Sequence, residues 1–347
     1  MLILGVETSC DETAAAVVKD GGLVLSNIVS SQTELHAPYG GVVPEVAARD
    51  HVKNIIPIVD QALQKAKVNL KKIDAIAVTK GPGLVTSLLV GVDTAKSLAY
   101  TTKKNIVGIN HLEAHVYASQ LQEDGQEKPV GLKFPLIYLI ASGGHTELVL
   151  MEDHLKHTTI GATRDDAAGE AFDKIAKLLK LDYPGGPEIA ERANSGNSRS
   201  YAFPRPMLEQ GYEFSFSGLK TDVLRLVKKN KYKLPPQAIN NICASFQAAV
   251  AEVLTTKTIK AAQEHQARMI VIGGGVSANR LLRWTLQKKA QNELEEVKLL
   301  IPDVKYCTDN AAMVAALGFY YAREGKFNAW DKLKVEPNLN FSQSKKC

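Results

Sequence analysis

Long apolar runs are missing. No stretch of about 18 apolar residues occurs in the 347, so no membrane-spanning helix is expected. A basic leader is missing too. Met1-Leu2-Ile3-Leu4-Gly5 runs straight into Glu7 and Asp11, so no secretory signal is expected. Cysteine is scarce: Cys10, Cys243, Cys307 and Cys347 stand far apart, which excludes a finger-type zinc site and fits a reducing cytosol. Strong charge of either sign is absent. The net charge of +5 and pI of about 8.8 permit a nucleic-acid partner without demanding one.

What is present is an ordinary soluble mix, 45% apolar and 23% charged, long enough for about two domains. The most informative stretch is His111-Leu112-Glu113-Ala114-His115. On a helix, histidines four residues apart share one face. Residues 106–109 read as a buried strand ending at Asn110, so the pair stands where a strand hands over to a helix. α/β proteins bind ligands there. A helix with two satisfied histidines is the plain alternative; the position after a strand favours a metal site. It is not a zinc-protease motif, in which glutamate directly follows the first histidine. Glu113 comes two places after His111, roughly 200° around the helix at about 100° per residue.

The chain opens with strands over Leu2–Glu7, Ala14–Val18 and Leu23–Ile28. A polar turn from Thr8 to Thr13 joins the first two and could face a phosphate. Val46, Val52, Ile55, Ile56, Ile58, Val59 and Leu63 give helical periodicity over Val42–Ala66, with Pro44 suited to a first turn. A strand over Ile73–Thr79, the turn Gly81-Pro82-Gly83 and a helix over Leu84–Thr101 follow. Gly125–Pro129 reads as the domain break. The opening pattern then recurs: strand Leu136–Ile140, turn Ala141–Thr146, strand Glu147–Met151. This suggests a duplicated nucleotide-binding core.

Further on, Asp165 and Asp166 open a helix reaching Lys180, with Asp166, Glu170 and Asp173 on one face. Tyr183–Pro187 reads as a rigid turn and Phe214–Lys220 as an unusual loop. Lys220, Arg225, Lys228, Lys229, Lys231 and Lys233 form a basic stretch able to touch phosphates. A helix spans Ile239–Ala262. A strand over Met269–Ile272 ends in Gly273-Gly274-Gly275, and Ser277 or Asn279 starts the next helix. After a last strand, Leu299–Pro302, Asp309 is either a helix cap or the oxygen ligand completing a two-histidine site. The tail past Gly325 reads as poorly ordered or docking.

Several motifs occur in a specific order: Glu7-Thr-Ser-Cys-Asp-Glu-Thr13, His111-x-x-x-His115, Ala141-Ser-Gly-Gly-His-Thr146, Asp165-Asp-Ala-Ala-Gly-Glu-Ala-Phe-Asp-Lys174, Tyr183-Pro-Gly-Gly-Pro187, Phe214-Ser-Phe-Ser-Gly-Leu-Lys220, Gly274-Gly-Val-Ser-Ala-Asn-Arg280 and Cys307-Thr-Asp-Asn310. Together they resemble the bacterial-type tRNA N6-adenosine threonylcarbamoyltransferase family, once described as glycoprotein endopeptidases, over roughly residues 1–325. The opening motif resembles bacterial or organellar members rather than archaeal ones.

The resemblance implies an α/β fold of the duplicated actin-like/sugar-kinase class, two lobes with a central nucleotide and metal cleft. The lobes would be residues 1–128 and 129–325, with a tail over 326–347. It implies transfer of threonylcarbamoyl from threonylcarbamoyl-AMP to N6 of the adenosine beside the anticodon, in tRNAs reading A-starting codons. By motif, His111, His115 and Asp309 resemble ligands to one divalent metal, iron or zinc. Ile140, Ala141, Ser142, Gly143 and Gly144 resemble the loop holding the acyl-adenylate, and Asp173, Gly186 and Asn279 resemble its ribose or adenine contacts. Asp11 and Glu12 are similar to acidic residues near the reacting carbonyl. The implied partners are a paralogous actin-like protein and a small ATPase, or a second copy of the chain, in the cytoplasm and away from membranes. The rivals are a small-molecule kinase or ATPase of the same fold, a metalloprotease, and a non-catalytic scaffold. Two histidines argue against the kinase, which would hold Mg²⁺ on carboxylates and water.

Overall fold

Residues 1–127 and 130–341 are described by the structure, a computed structural model. Part of the expected break at Gly125–Pro129, the last residues of the tail and Cys347 lie outside the described residues.

The chain forms two units, and they are not continuous in sequence. The first takes Met1–Leu132, His154–His157 and the chain from Pro302; the second takes Lys133–Asp153 and Thr158–Ile301. The single split expected after residue 128 therefore differs from this division, because the last helix returns to the N-terminal unit.

In the first unit the strands are β1 (Leu2–Glu7), β2 (Glu12–Lys19), β3 (Leu23–Ser31), β4 (Ala75–Gly81) and β5 (Asn105–Asn110), ordered β3-β2-β1-β4-β5. β1 pairs antiparallel with β2 and parallel with β4, and β4 pairs parallel with β5. A short helix α1 (Thr33–His36), α2 (Pro44–Lys65) and α3 (Val85–Thr102) follow the strands, and α4 (His111–Tyr117) follows β5 directly. Leu4, Val6, Ile55, Ile58, Val59, Ile76, Val78 and Val92 make one core of this unit. The last helix, α10 (Ala311–Arg323), packs on β1, β2 and β4. It approaches closely because β1 offers glycine: a Cβ on Gly5 would lie 2.2 Å from the Ala311 carbonyl oxygen. This contact brings the start of α10 to the carboxyl end of β1.

The second unit repeats the plan. Its strands are β6 (Leu136–Ala141), β7 (Thr146–Asp153), β8 (Lys156–Ala162), β9 (Met269–Gly273) and β10 (Lys298–Leu300), ordered β8-β7-β6-β9-β10. Read from the hairpin edge, this is the order of the first sheet, so the expected duplication is present. Helices α5 (Ala168–Leu178), α6 (Gly185–Ala193), α7 (Ser217–Lys229), α8 (Pro236–Glu264) and α9 (Arg280–Glu293) complete it. Strand β8 carries few large apolar residues, which is why the sequence reading found only two strands in its hairpin.

Three local expectations are corrected. Asp165 and Asp166 do not open a helix: α5 begins at Ala168, and Asp165 instead accepts bonds from the Ser215 and Ser217 hydroxyls and the Phe216 amide, tethering the start of α7. The rigid turn expected over Tyr183–Pro187 is in part helix: Gly185-Gly186-Pro187 is the first turn of α6. Val52 and Ile56, counted in the apolar periodicity of α2, are 63% and 59% exposed, because the buried stripe runs through Ala47, His51, Ile55, Ile58 and Ala62. The tail resolves as docking as far as Phe341. Asn328 bonds the backbone of Ile106, Glu336 that of Lys80, and Leu333 and Phe341 are buried.

Candidate metal centre and acidic turn

Parallel strands β4 and β5 end side by side, and α4 starts where β5 stops. Asn110 caps it, its side-chain oxygen accepting from the Leu112 and Glu113 amides. His111 and His115 stack edge to face on one side of that helix, ring centroids 4.8 Å apart. Asp309 does not cap α10; Asn310 does. One Asp309 oxygen is thereby free to face both rings, 3.3 Å from His111 Nε2 and 3.4 Å from His115 Nε2.

These positions fit a metal. The three ligand atoms lie within 4.8 Å of one another. Donors around a tetrahedral ion bound at about 2.1 Å stand roughly 3–3.5 Å apart, and the Asp309 oxygen keeps that separation from each imidazole, at 3.3 and 3.4 Å. His115 is fully buried, and its Nε2, which faces Asp309, makes no hydrogen bond among the described residues. The site's electrostatics agree. Burial alone would raise the Asp309 carboxyl, but His111 and His115 outweigh it and hold it far below the usual range. Burial also disfavours charge on His111, yet Asp309 and Glu7 outweigh that and keep its imidazole well above the usual range. His115 is held low, by burial first. Without a cation, the Asp309 carboxylate leans on His111 for its countercharge.

Glu7 is the residue that sequence reading missed, beyond its place in the opening motif. It is fully buried at the end of β1. One oxygen accepts from the Ser9 amide at 2.5 Å. The other accepts from the Thr79 hydroxyl at 2.6 Å and faces His111 Nδ1 at 3.0 Å. A carboxylate only accepts, so it fixes the proton on Nδ1 and leaves Nε2 for a metal. The signal available was a charged residue closing an otherwise apolar buried strand. Glu7→Gln puts an amide N–H against either the Ser9 amide or His111 Nδ1. Metal affinity, read by chelator competition, is expected to fall about 10–100-fold; unchanged affinity would refute the role.

Asp11 and Glu12 sit beside this group, both half-buried, Asp11 ending the turn after β1 and Glu12 opening β2. Burial, then Asp309 and Asp11, push the Glu12 carboxyl well above its usual range. Glu113 faces elsewhere: its Oε2 accepts from the Tyr321 hydroxyl at 3.1 Å, and burial pushes its carboxyl up to about 7. It does not stand where a protease base would.

In the second unit, β6 delivers the remaining expected residues. Ile140 and Ala141 are buried, so only their backbone is available, whereas Gly143 and Gly144 are exposed at the turn. The turn is closed by Ser142 N–H donating to the His145 carbonyl at 2.8 Å. The β9 end packs on it so tightly that a Cβ on Gly274 would lie 2.5 Å from the Ala141 oxygen. Asn279 caps α9 through Leu282 N–H and donates to Gln247 at 2.7 Å. Asp173 accepts from Gly185 N–H at 2.8 Å, and a Cβ on Gly186 would meet no atom within 4 Å. These residues are thus partly engaged in shaping two helix starts.

Comparison with known proteins bears on the family and the fold. The family model for tRNA N6-adenosine threonylcarbamoyltransferase matches residues 23–316. Proteins of that name from Thermomicrobium roseum and Geobacillus kaustophilus are 49% and 50% identical. They cover 94% and 97% of this chain and 93% and 96% of their own lengths. Among solved structures, HypF from T. kodakarensis aligns with a TM-score of 0.60 at 16% identity, covering 93% of this chain and 48% of its own. Component A of the Acidaminococcus fermentans (R)-2-hydroxyglutaryl-CoA dehydratase aligns at 0.55 and 15%, covering 93% and 99%. These structural likenesses speak to fold alone, and they agree with the duplicated actin-like/sugar-kinase class. With a model match across most of its length and relatives near half identity end to end, the chain belongs to the tRNA N6-adenosine threonylcarbamoyltransferase family.

Proposed function

We infer that this chain transfers a threonylcarbamoyl group to N6 of the adenosine beside the anticodon of tRNA. The observation that carries the reading is the convergence of His111, His115 and Asp309 in a chain of this family. The donor in this reading is threonylcarbamoyl-AMP, in the cytoplasm. No described helix is long and apolar enough to cross a membrane.

The donor is a mixed anhydride and already activated. The adenosine N6 attacks the carbamoyl carbon, a C–N bond forms, and the carbonyl–phosphate oxygen bond breaks with AMP leaving on its electron pair. His111, His115 and Asp309 hold one divalent ion, iron or zinc. When bound, the ion supplies Lewis-acid polarisation of donor oxygens. Glu12 receives the amine proton, Asp11 being the other candidate. Its raised carboxyl is a better proton acceptor than an ordinary glutamate, and an exocyclic amine needs that help. The exposed Gly143 and Gly144 amides offer donors to phosphate or developing oxyanion charge. Asp173, Asn279 and the backbone at Gly186 hold the ribose and adenine. The metalloprotease reading fails on Glu113, which faces Tyr321.

Incubation with threonylcarbamoyl-adenylate and unmodified tRNA, read by nucleoside mass spectrometry, tests the reading. No modified adenosine with metal-loaded protein and its partners would end it.

A partner belongs to the same proposal: a paralogous actin-like chain with a small ATPase, or a second copy. Val52 and Ile56 on α2, and Val85 and Leu89 on the adjoining α3, are pairs of exposed apolar residues one turn apart, which supports a protein contact there. The basic stretch supports tRNA contact: Lys228 and Lys229 end α7, are exposed and form no ion pair among the described residues. With a net charge of only +5, the lone chain is expected to bind tRNA weakly and with steep salt dependence. Lys228→Glu/Lys229→Glu should weaken that binding by about tenfold at moderate salt while acyl-adenylate affinity holds. Filter binding across a salt series decides, and an unchanged slope would place the tRNA elsewhere.

A further inference from the structure

The turn that carries Asp11 and leads into Glu12 is steered from outside. Residues 8–11 lie outside the strands, and three successive carbonyls are each held by another part of the first unit. Leu84 N–H donates to Ser9 at 2.8 Å, His51 Nε2 lies 3.0 Å from the Cys10 carbonyl, and Gln32 N–H donates to Asp11 at 3.0 Å. Only one of these holders is a side chain, and it is a fully buried histidine on α2. Its other nitrogen, Nδ1, is 2.7 Å from the Thr13 hydroxyl, with Gln32 Nε2 at 3.4 Å. A carbonyl only accepts, so the ring proton is on Nε2, and Nδ1 is left to accept from Thr13. Glu12 therefore sits between residues 10 and 13, both tied to one imidazole. The buried neighbours of His51 along α2 include Ala47, Ile55, Ile58 and Val59, so packing alone asks for an apolar residue there. Burial lowers the ring's affinity for a second proton, which preserves the donor–acceptor pattern.

We propose that His51 is a positioning residue for threonylcarbamoyl transfer: through the Cys10 carbonyl and the Thr13 hydroxyl it sets the turn that aims Asp11 and Glu12. The proposal rests on the reading that those carboxylates serve the reaction. Misplacing a reacting group by about 1 Å costs about 100-fold in rate.

The test is steady-state transfer by the metal-loaded protein with its partners. His51→Leu keeps the volume and removes both polar contacts. It should lower kcat by about 100-fold, with KM for tRNA and bound metal unchanged. His51→Gln, whose amide can still donate towards the Cys10 carbonyl, should recover most of the loss. In the background of whichever of Glu12→Gln and Asp11→Asn is slow, His51→Leu should add little, because it acts through that carboxylate. A folded His51→Leu with normal kcat, no recovery in His51→Gln, or losses that multiply in the double variant would each overturn the proposal. Should His51→Leu not fold, Thr13→Val, which removes only the hydroxyl on Nδ1, stands in under the same criteria. Asp11→Asn and Glu12→Gln that both keep normal kcat would sink the carboxylate reading itself, and the positioning role with it. Slow carboxylate variants beside a normal His51→Leu would sink the positioning role alone.

Discussion

Replacing both His111 and His115 by alanine is expected to strip the bound divalent metal from the protein. Transfer should fall by more than about 100-fold, a loss that supporting groups around metal ligands can already cause. Each imidazole aims Nε2 at the same Asp309 oxygen, at 3.3 and 3.4 Å, and among the described residues no third histidine joins the group. The fold should survive. α4 is capped by Asn110 and packed through Leu112, Ala114 and Val116, none of which the change touches. Elemental analysis with circular dichroism checks this. A folded double variant that keeps full metal would show that the ion lies elsewhere.

The second large effect concerns Glu12. Glu12→Gln keeps size and burial but removes proton acceptance, and is expected to lower kcat by about 10²–10⁴-fold. In the wild type the carboxyl is raised well above its usual range by burial, then by Asp309 and Asp11. It is protonated and inactive as a base at low pH, so the rate should climb as pH rises through that raised value and then level off. A cation on Asp309 offsets one of the causes, so the climb should begin at lower pH as metal occupancy increases. A pH–rate profile at two metal concentrations reads both effects. A flat acidic limb that Glu12→Gln leaves unchanged would move the proton transfer to Asp11 or to solvent.

The duplication, the histidine pair and the order of motifs were legible in the sequence because each rests on local spacing. A buried strand followed by polar turn and strand announces itself by composition, and histidines four apart share a helix face wherever that helix is placed. The exposed face of α2 was not legible. Val52 and Ile56 fit the same period as the buried residues, and only the direction of the sheet decides which stripe is covered. Asp165 and Asp166 looked like a helix start, and distant partners at Ser215 and Ser217 claimed the first of them.

By itself the sequence determined the chemistry available: two imidazoles on one helical turn, a carboxylate nearly two hundred residues later, and an acidic turn after the first strand. That Asp309 faces two imidazoles instead of capping α10 was decided only by tertiary structure. Gly5 lets α10 press against β1, with a would-be Cβ 2.2 Å from the Ala311 oxygen, and Asn310 takes the capping role. That close approach brings the start of α10 to the end of β5, and with it Asp309 to His111 and His115. The same packing buries Glu7 against His111 and turns a strand-end carboxylate into the group that fixes the tautomer of His111. Residues 104 or more positions apart are set to within about one hydrogen-bond length there, and no local pattern encodes such a distance.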